Sequence, residues 1–214
     1  MITPEHIELS IKKATDGETY LSQSIYDIRG FSTRYMRNLF HHICNVEGGC
    51  TYLEIGLFCG GTFVSSFNKN TISIGIENHS QDFSEGFEVV KKELKENIDN
   101  HSELSKEIHV HYEDCFKIDK SKLPDNIDIF CYDGHHDEMY QEAALPHFIE
   151  KMANTFVMIV DDWSWDSVFN GTNKALASLD DKINVEQFWA LRGYSLHNDP
   201  VWHNSIGIFL INKK

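Results

Sequence analysis

The sequence has no run of about 18 apolar residues that would span a bilayer, no CxxC pair, and only four prolines in 214 residues. A membrane span and a zinc knuckle built on paired thiolates are therefore not expected. Positive charge is scarce as well. Nineteen Lys+Arg stand against 33 Asp+Glu, a formal charge of −14, and no segment concentrates the basic residues. That leaves a poor electrostatic footprint for a phosphate backbone or an anionic bilayer, so neither nucleic acid nor a membrane is expected as a partner. The first twenty residues, MITPEHIELSIKKATDGETY, lack a basic stretch followed by an apolar core. Export is not expected, and a cytoplasmic location is. The five cysteines, Cys44, Cys50, Cys59, Cys115 and Cys131, are odd in number, and most lie in or beside apolar runs. They read as buried thiols of a reducing compartment.

What is present is enough apolar content, 41%, for one sizeable core. A single domain over residues 1–214 is expected, with a helical cap over 1–48 and an α/β core over 49–214. Ile2 to Cys44 reads as helical, broken near Asp16-Gly17 and Gly30; Phe31, Tyr35, Met36, Leu39, Phe40 and Ile43 recur at helical spacing behind a Ser32/Thr33 cap. Five short apolar runs follow: TYLEIGLF (51–58), TISIGIEN (71–78), EIHVHYED (107–114), IDIFCYDG (127–134) and TFVMIVDD (155–162). Polar stretches of helical character, Asp82 to Asn100 and Glu138 to Ala153, lie between them. Strands alternating with helices predict a doubly wound, mostly parallel sheet with right-handed crossovers. Two further runs, Asn184 to Leu191 and Ser205 to Asn212, are joined too closely for a crossover helix and should pair antiparallel at one edge.

Ligands of open α/β sheets bind outside the carboxyl ends of the strands. Here every run ends in carboxylates: Glu54 before Gly56, then Glu77, Glu113-Asp114, Asp133 and Asp161-Asp162. One such residue would be an ordinary turn or helix cap. Five sets on one sheet edge repel one another and call for something positive between them. Gly56, Gly60 and Gly61 form a turn through which a ligand can approach the backbone, and Glu77 has the position and acceptor capacity to hold ribose hydroxyls. A carboxylate ahead of the glycine turn disfavours a pyrophosphate. The pattern suits a nucleoside without phosphates that carries a positive charge.

The string YLEIGLFCGGT resembles the first motif of class I S-adenosylmethionine-dependent methyltransferases, in the form found in the catechol O-methyltransferase group. The resemblance runs from about Gly30 onward. It implies a Rossmann-like, seven-stranded sheet with an antiparallel last strand. It also implies a cofactor site in which Glu54 and Gly56 flank the methionine portion, Gly60 and Thr62 complete the turn, Glu77 holds the ribose, and Asp114 with Cys115 or Phe116 lines the adenine. Gly30-Phe31-Ser32 stands where related enzymes bring an N-terminal segment over the cofactor.

Asp133 and Asp161-Asp162 end what should be neighbouring strands, about 4.8 Å apart, so their carboxylates would converge beside the sulfonium. Mg²⁺, which prefers oxygen ligands, would relieve the repulsion and leave coordination sites for substrate hydroxyls. Similar metal-dependent O-methyltransferases of catechols and of natural-product sugars carry an Asp at the first position and an acidic pair at the second. His136, three residues after Asp133, takes the place of the general base in those relatives. If His135 and His136 were both ligands, Mn²⁺ or Zn²⁺ would be favoured over Mg²⁺. Trp163 and Trp165 either stack on an acceptor ring or pack their loop rigidly onto the N-terminal helices.

The expected activity is methyl transfer from S-adenosylmethionine to a hydroxyl of a small molecule: a sugar, polyol or catechol-like acceptor. A homo-oligomer is compatible with the sequence. Two rivals stand beside this reading: a metal-independent methyltransferase, and a non-catalytic module that binds the nucleoside for regulation.

Overall fold

A computed structural model describes residues 2–79, 86–193 and 201–214. The N-terminal cap begins with α1 (Pro4–Thr15), which starts where the Thr3 hydroxyl accepts the His6 amide and Pro4 fits the first turn. It stops at Asp16-Gly17, where Gly17 turns left-handed. The short α2 (Gln23–Tyr26) and α3 (Arg34–Cys44) follow, the latter capped by the Thr33 hydroxyl on the Met36 amide. Both expected breaks are therefore present.

Seven strands follow: β1 (Cys50–Ile55), β2 (Thr71–Ile76), β3 (Glu107–His111), β4 (Ile127–Tyr132), β5 (Met152–Val160), β6 (Ile183–Leu191) and β7 (Ile206–Lys213). They form one sheet in the order β3-β2-β1-β4-β5-β7-β6, and β7 alone runs opposite to the other six. The doubly wound sheet and the antiparallel last strand agree with the sequence reading. The two tail strands pair antiparallel at one edge, as expected, with β7 beside β5 and β6 outermost.

Helices α4 (Gly61–Ser65), α5 (Phe87–His101), α6 (Glu138–Phe148) and α7 (Asp166–Ser178) connect the strands. The expected helix from Asp82 to Asn100 is present from Phe87, and its first residues, 82–85, lie outside the described residues. The helix expected to reach Ala153 ends at Phe148 instead. Met152 already pairs with Ile127 across a register shift, and that pairing claims Met152 and Ala153 for β5.

The inner strands β1, β2 and β4 are almost wholly buried, so apolar residues occupy both of their faces, as a parallel sheet covered on two sides requires. One side packs on α1, α3 and α5 through Ile7, Met36, Leu39 and Leu94. The other packs on α6 and α7 through Leu145, Phe148, Val168 and Ala175. All five cysteines are buried and free. Strand order reverses between β1 and β4, which places the crevice at their carboxyl ends.

Candidate active site

A cavity of about 890 Å³ opens at that reversal point. Nine expected site residues border it: Gly56, Glu77, Asp114, Cys115, Phe116, Asp133, His136, Asp161 and Asp162. Each stands at or beyond the end of a strand, where the chain leaves the sheet; Cys115 and Phe116 also pack on the core beneath.

Glu54, Gly60 and Thr62 do not border it. Glu54 is fully buried and held by the Tyr52 hydroxyl and by Thr62 Oγ1 at 2.5 Å, and burial pushes its carboxyl up to about 8. Gly60, which caps α4 in a left-handed conformation, packs against Leu94. The glycine turn is thus fitted mainly to the protein. Gly56 has φ 86°, and a Cβ there would stand 2.0 Å from the Asp133 carbonyl oxygen, so only glycine lets the end of β1 lie against the end of β4.

Glu77 fastens this turn. Its Oε2 accepts the amides of Leu57 at 2.7 Å and Phe58 at 2.8 Å, and its Oε1 accepts the His79 amide at 2.5 Å. Of about four acceptor positions on a carboxylate, one is left for a ligand. Asp114 accepts the Phe116 amide at 3.0 Å, which lowers its pKa and fixes the loop that presents Cys115 and Phe116. Phe31, brought from the cap, stacks on Phe58 with ring centroids 5.7 Å apart and covers this end of the cavity. Arg37 holds the segment that carries Phe31. Buried and without a carboxylate partner among the described residues, it donates to the carbonyls of Ile25, Tyr26 and Ile28 and to Ser32 Oγ.

The other end is acidic. Asp133, His136 and Asp162 each offer one ligand atom, all within 4.8 Å of one another. Nε2 of His136 lies 2.9 Å from Asp162 Oδ2 and 3.5 Å from Asp133 Oδ1, yet it makes no hydrogen bond of good geometry among the described residues. Burial alone would lower the His136 imidazole, but the two carboxylates outweigh it and hold its pKa at about 10. Burial, offset in part by His136 and reinforced by the charge of Asp162, raises Asp133 to about 6.

Asp161 is not in that group of three. It borders the same cavity with a buried Oδ1 that has no partner among the described residues, and burial next to Asp133 and Asp162 pushes its pKa well up. Asp162, left-handed at φ 54°, turns the chain so that its own side chain joins Asp133 and His136 while Asp161 lines the cavity outside that group. Orphaned donor atoms converging beside three carboxylates fit a divalent cation, and the mixed oxygen and nitrogen set is compatible with Mg²⁺ or Mn²⁺.

The two tryptophans differ in setting, and Trp163 packs on α7, β6 and β7 rather than on the N-terminal helices. Trp163 is buried against Phe169, Phe188 and Phe209. Trp165 is 45% exposed at the cavity mouth, with its ring 5.1 Å from that of His136. His203 and Asn204, on the stretch leading into β7, complete the acidic end. The sequence reading assigned them nothing, and no local motif marks them.

No protein-family model matches the sequence, and no curated protein matches it. Similarity appears in three dimensions. The O-methyltransferase TomG of Streptomyces achromogenes, solved with SAM, superposes with a TM-score of 0.63 at 12% identity over 99% of this chain and 100% of its own. The Podospora anserina methyltransferase PaMTH1, solved with SAH, gives 0.60 at 10% identity over 99% and 89%. An O-methyltransferase from Bacillus cereus, also with SAH, gives 0.56 at 12% identity over 100% and 93%. The chain shares its fold with these methyltransferases.

Proposed function

We propose that the protein is an S-adenosylmethionine-dependent O-methyltransferase that uses a divalent cation and acts on a hydroxyl of a small molecule. The observation that carries this reading is the convergence of Asp133, His136 and Asp162 in the same cavity as Gly56, Glu77 and Asp114. A site for nucleoside binding alone has no need of the first group.

The cofactor supplies an electrophilic methyl group, and a divalent cation supplies positive charge that lowers the pKa of an acceptor hydroxyl beside it. The remaining tasks fall to the chain. Glu77 offers its remaining acceptor position to the ribose, while Cys115 and Phe116 wall the adenine and Phe31 covers the nucleoside. Asp133 and Asp162, with Asp161 alongside, hold the cation. His136, whose imidazole is neutral near pH 7 only where a cation offsets the charge of Asp133 and Asp162, would take the hydroxyl proton on Nε2, and Trp165 gives the acceptor ring an apolar face. Much of the acceleration comes from holding the two reactants in line. A second reading, favoured by the 4.8 Å grouping, makes His136 a third ligand of the cation.

The wall also bears on the acceptor. Seven carboxylates line the cavity, and among the described residues no Lys or Arg does. The sequences of 80–85 and 194–200 contain none either. Such a wall supports an uncharged or cationic acceptor, because a phosphate or carboxylate would meet like charge on every side.

Transfer from methyl-labelled S-adenosylmethionine to sugar, polyol and catechol acceptors, with and without EDTA, tests the reading. Transfer should disappear in EDTA and return with Mg²⁺ or Mn²⁺. Undiminished transfer in EDTA would leave a metal-independent methyltransferase.

A further inference from the structure

Asp162 holds an unusual position. Its backbone is left-handed at φ 54°, its side chain is nearly buried, and only one of its oxygens faces His136. The other, Oδ1, accepts a 2.7 Å hydrogen bond from Nδ2 of Asn204, a residue 42 positions away. Asn204 is itself left-handed, at φ 52°. The two loops are stitched together by three further bonds: Trp163 amide to Ser205 carbonyl at 3.1 Å, Ser164 amide to Asn204 carbonyl at 3.0 Å, and Ser164 Oγ to the same carbonyl at 2.8 Å.

We propose that Asn204 is a positioning residue: its carboxamide pins Oδ1 of Asp162, fixes the plane of the carboxylate, and so aims Oδ2 at the point shared with Asp133 and His136, where a divalent cation binds. The inference rests on the cation-dependent reading above. A carboxylate turns about its last bond in a broad, roughly two-fold well, so nothing intrinsic to aspartate selects the plane seen here. A short, charge-assisted bond from a neutral amide selects it and adds no positive charge that would compete with the cation. Outer-shell partners of this kind typically change metal affinity about 10- to 100-fold. The stitched backbone explains how the amide is held: both left-handed residues are over-determined by the bonds between their loops.

The test is a titration with Mn²⁺, read from the electron paramagnetic resonance signal of the free ion, on the wild-type chain and on Asn204→Gly and Asn204→Asp. Glycine keeps the left-handed backbone and removes only the carboxamide. Aspartate keeps the shape and replaces the donor with an acceptor that repels Asp162. Asn204→Gly should bind Mn²⁺ about 10-fold or more weakly while its thermal midpoint without metal stays close to wild type, and Asn204→Asp should be weakened at least as much. Wild-type affinity in Asn204→Gly would overturn the proposal and leave the cation site standing. Tighter binding in Asn204→Asp would show that the side chain reaches the ion directly, which also overturns the positioning role. A wild-type chain that binds no Mn²⁺ would remove the cation site itself and Asn204's role with it.

Discussion

Gly56 joins the glycine turn to the acidic end of the cavity, and replacing it with alanine has a cost that follows from the structure. At φ 86° an L-residue pays about 1–2 kcal/mol for the left-handed backbone. The new Cβ would also stand 2.0 Å from the Asp133 carbonyl oxygen and 2.6 Å from its carbon, both backbone atoms that cannot swing aside. Relieving such overpacking costs about 1–3 kcal/mol. Gly56→Ala should therefore lose about 2–5 kcal/mol, or about 5–15 °C in thermal midpoint at this chain length. Gly48→Ala is the matched control, because Gly48 also has φ 86° but a Cβ there meets nothing within 4 Å. It should show the backbone strain alone. Urea unfolding followed by tryptophan fluorescence gives both values. Because the displaced peptide carries Asp133, Mn²⁺ binding should fall in Gly56→Ala and not in Gly48→Ala. Equal stability of the two variants would refute the claim that this glycine exists to let β1 and β4 meet.

Arg37→Met should cost about 3 kcal/mol by freeing buried carbonyls of a cationic donor, and it should weaken binding of S-adenosylhomocysteine through the loosened Phe31 segment; an unchanged calorimetric affinity would show that Phe31 does not cover the cofactor. His136→Gln separates the two roles open to that residue: as a proton acceptor it loses turnover but keeps Mn²⁺ affinity, whereas as a ligand it loses both. Trp165→Ala should raise the KM for a ring-bearing acceptor several-fold and leave cofactor affinity unchanged; equal KM values would return Trp165 to a packing role. Burial, helped by His42 and Lys13, depresses the His41 imidazole from 6.5 to about 4. The folded chain therefore holds it neutral where the unfolded chain would protonate it, and stability present above pH 6.5 is lost as pH falls through about 4. Denaturation of wild type and His41→Gln at about pH 7 and about pH 4 should show the wild type losing up to about 3 kcal/mol more.

The sheet and its functional edge were legible because they are written in local pattern. Five apolar runs each ending in acid can be read without knowing what lies across the sheet, and the topology rule then brings Glu77, Asp114, Asp133 and Asp162 to one crevice. What local pattern does not show is which contacts claim each side chain. Glu54, expected at the ligand, is bonded by its near neighbours Tyr52 and Thr62 and lies outside the cavity lining. Gly56 borders the cavity and also lies against Asp133, and Gly60 packs against Leu94. Asn204 and His203 stand beside Asp162 only because β7 folds back against β5, and no spacing along the chain announces that return.

The most direct test is a crystal structure with S-adenosylhomocysteine and Mn²⁺, the ion located by its anomalous scattering. The nucleoside should lie along Gly56, Glu77, Asp114 and Phe116, with the ion against Asp133 and Asp162 and within reach of His136. An ion elsewhere, or a nucleoside outside this cavity, would contradict the proposed mechanism at its centre.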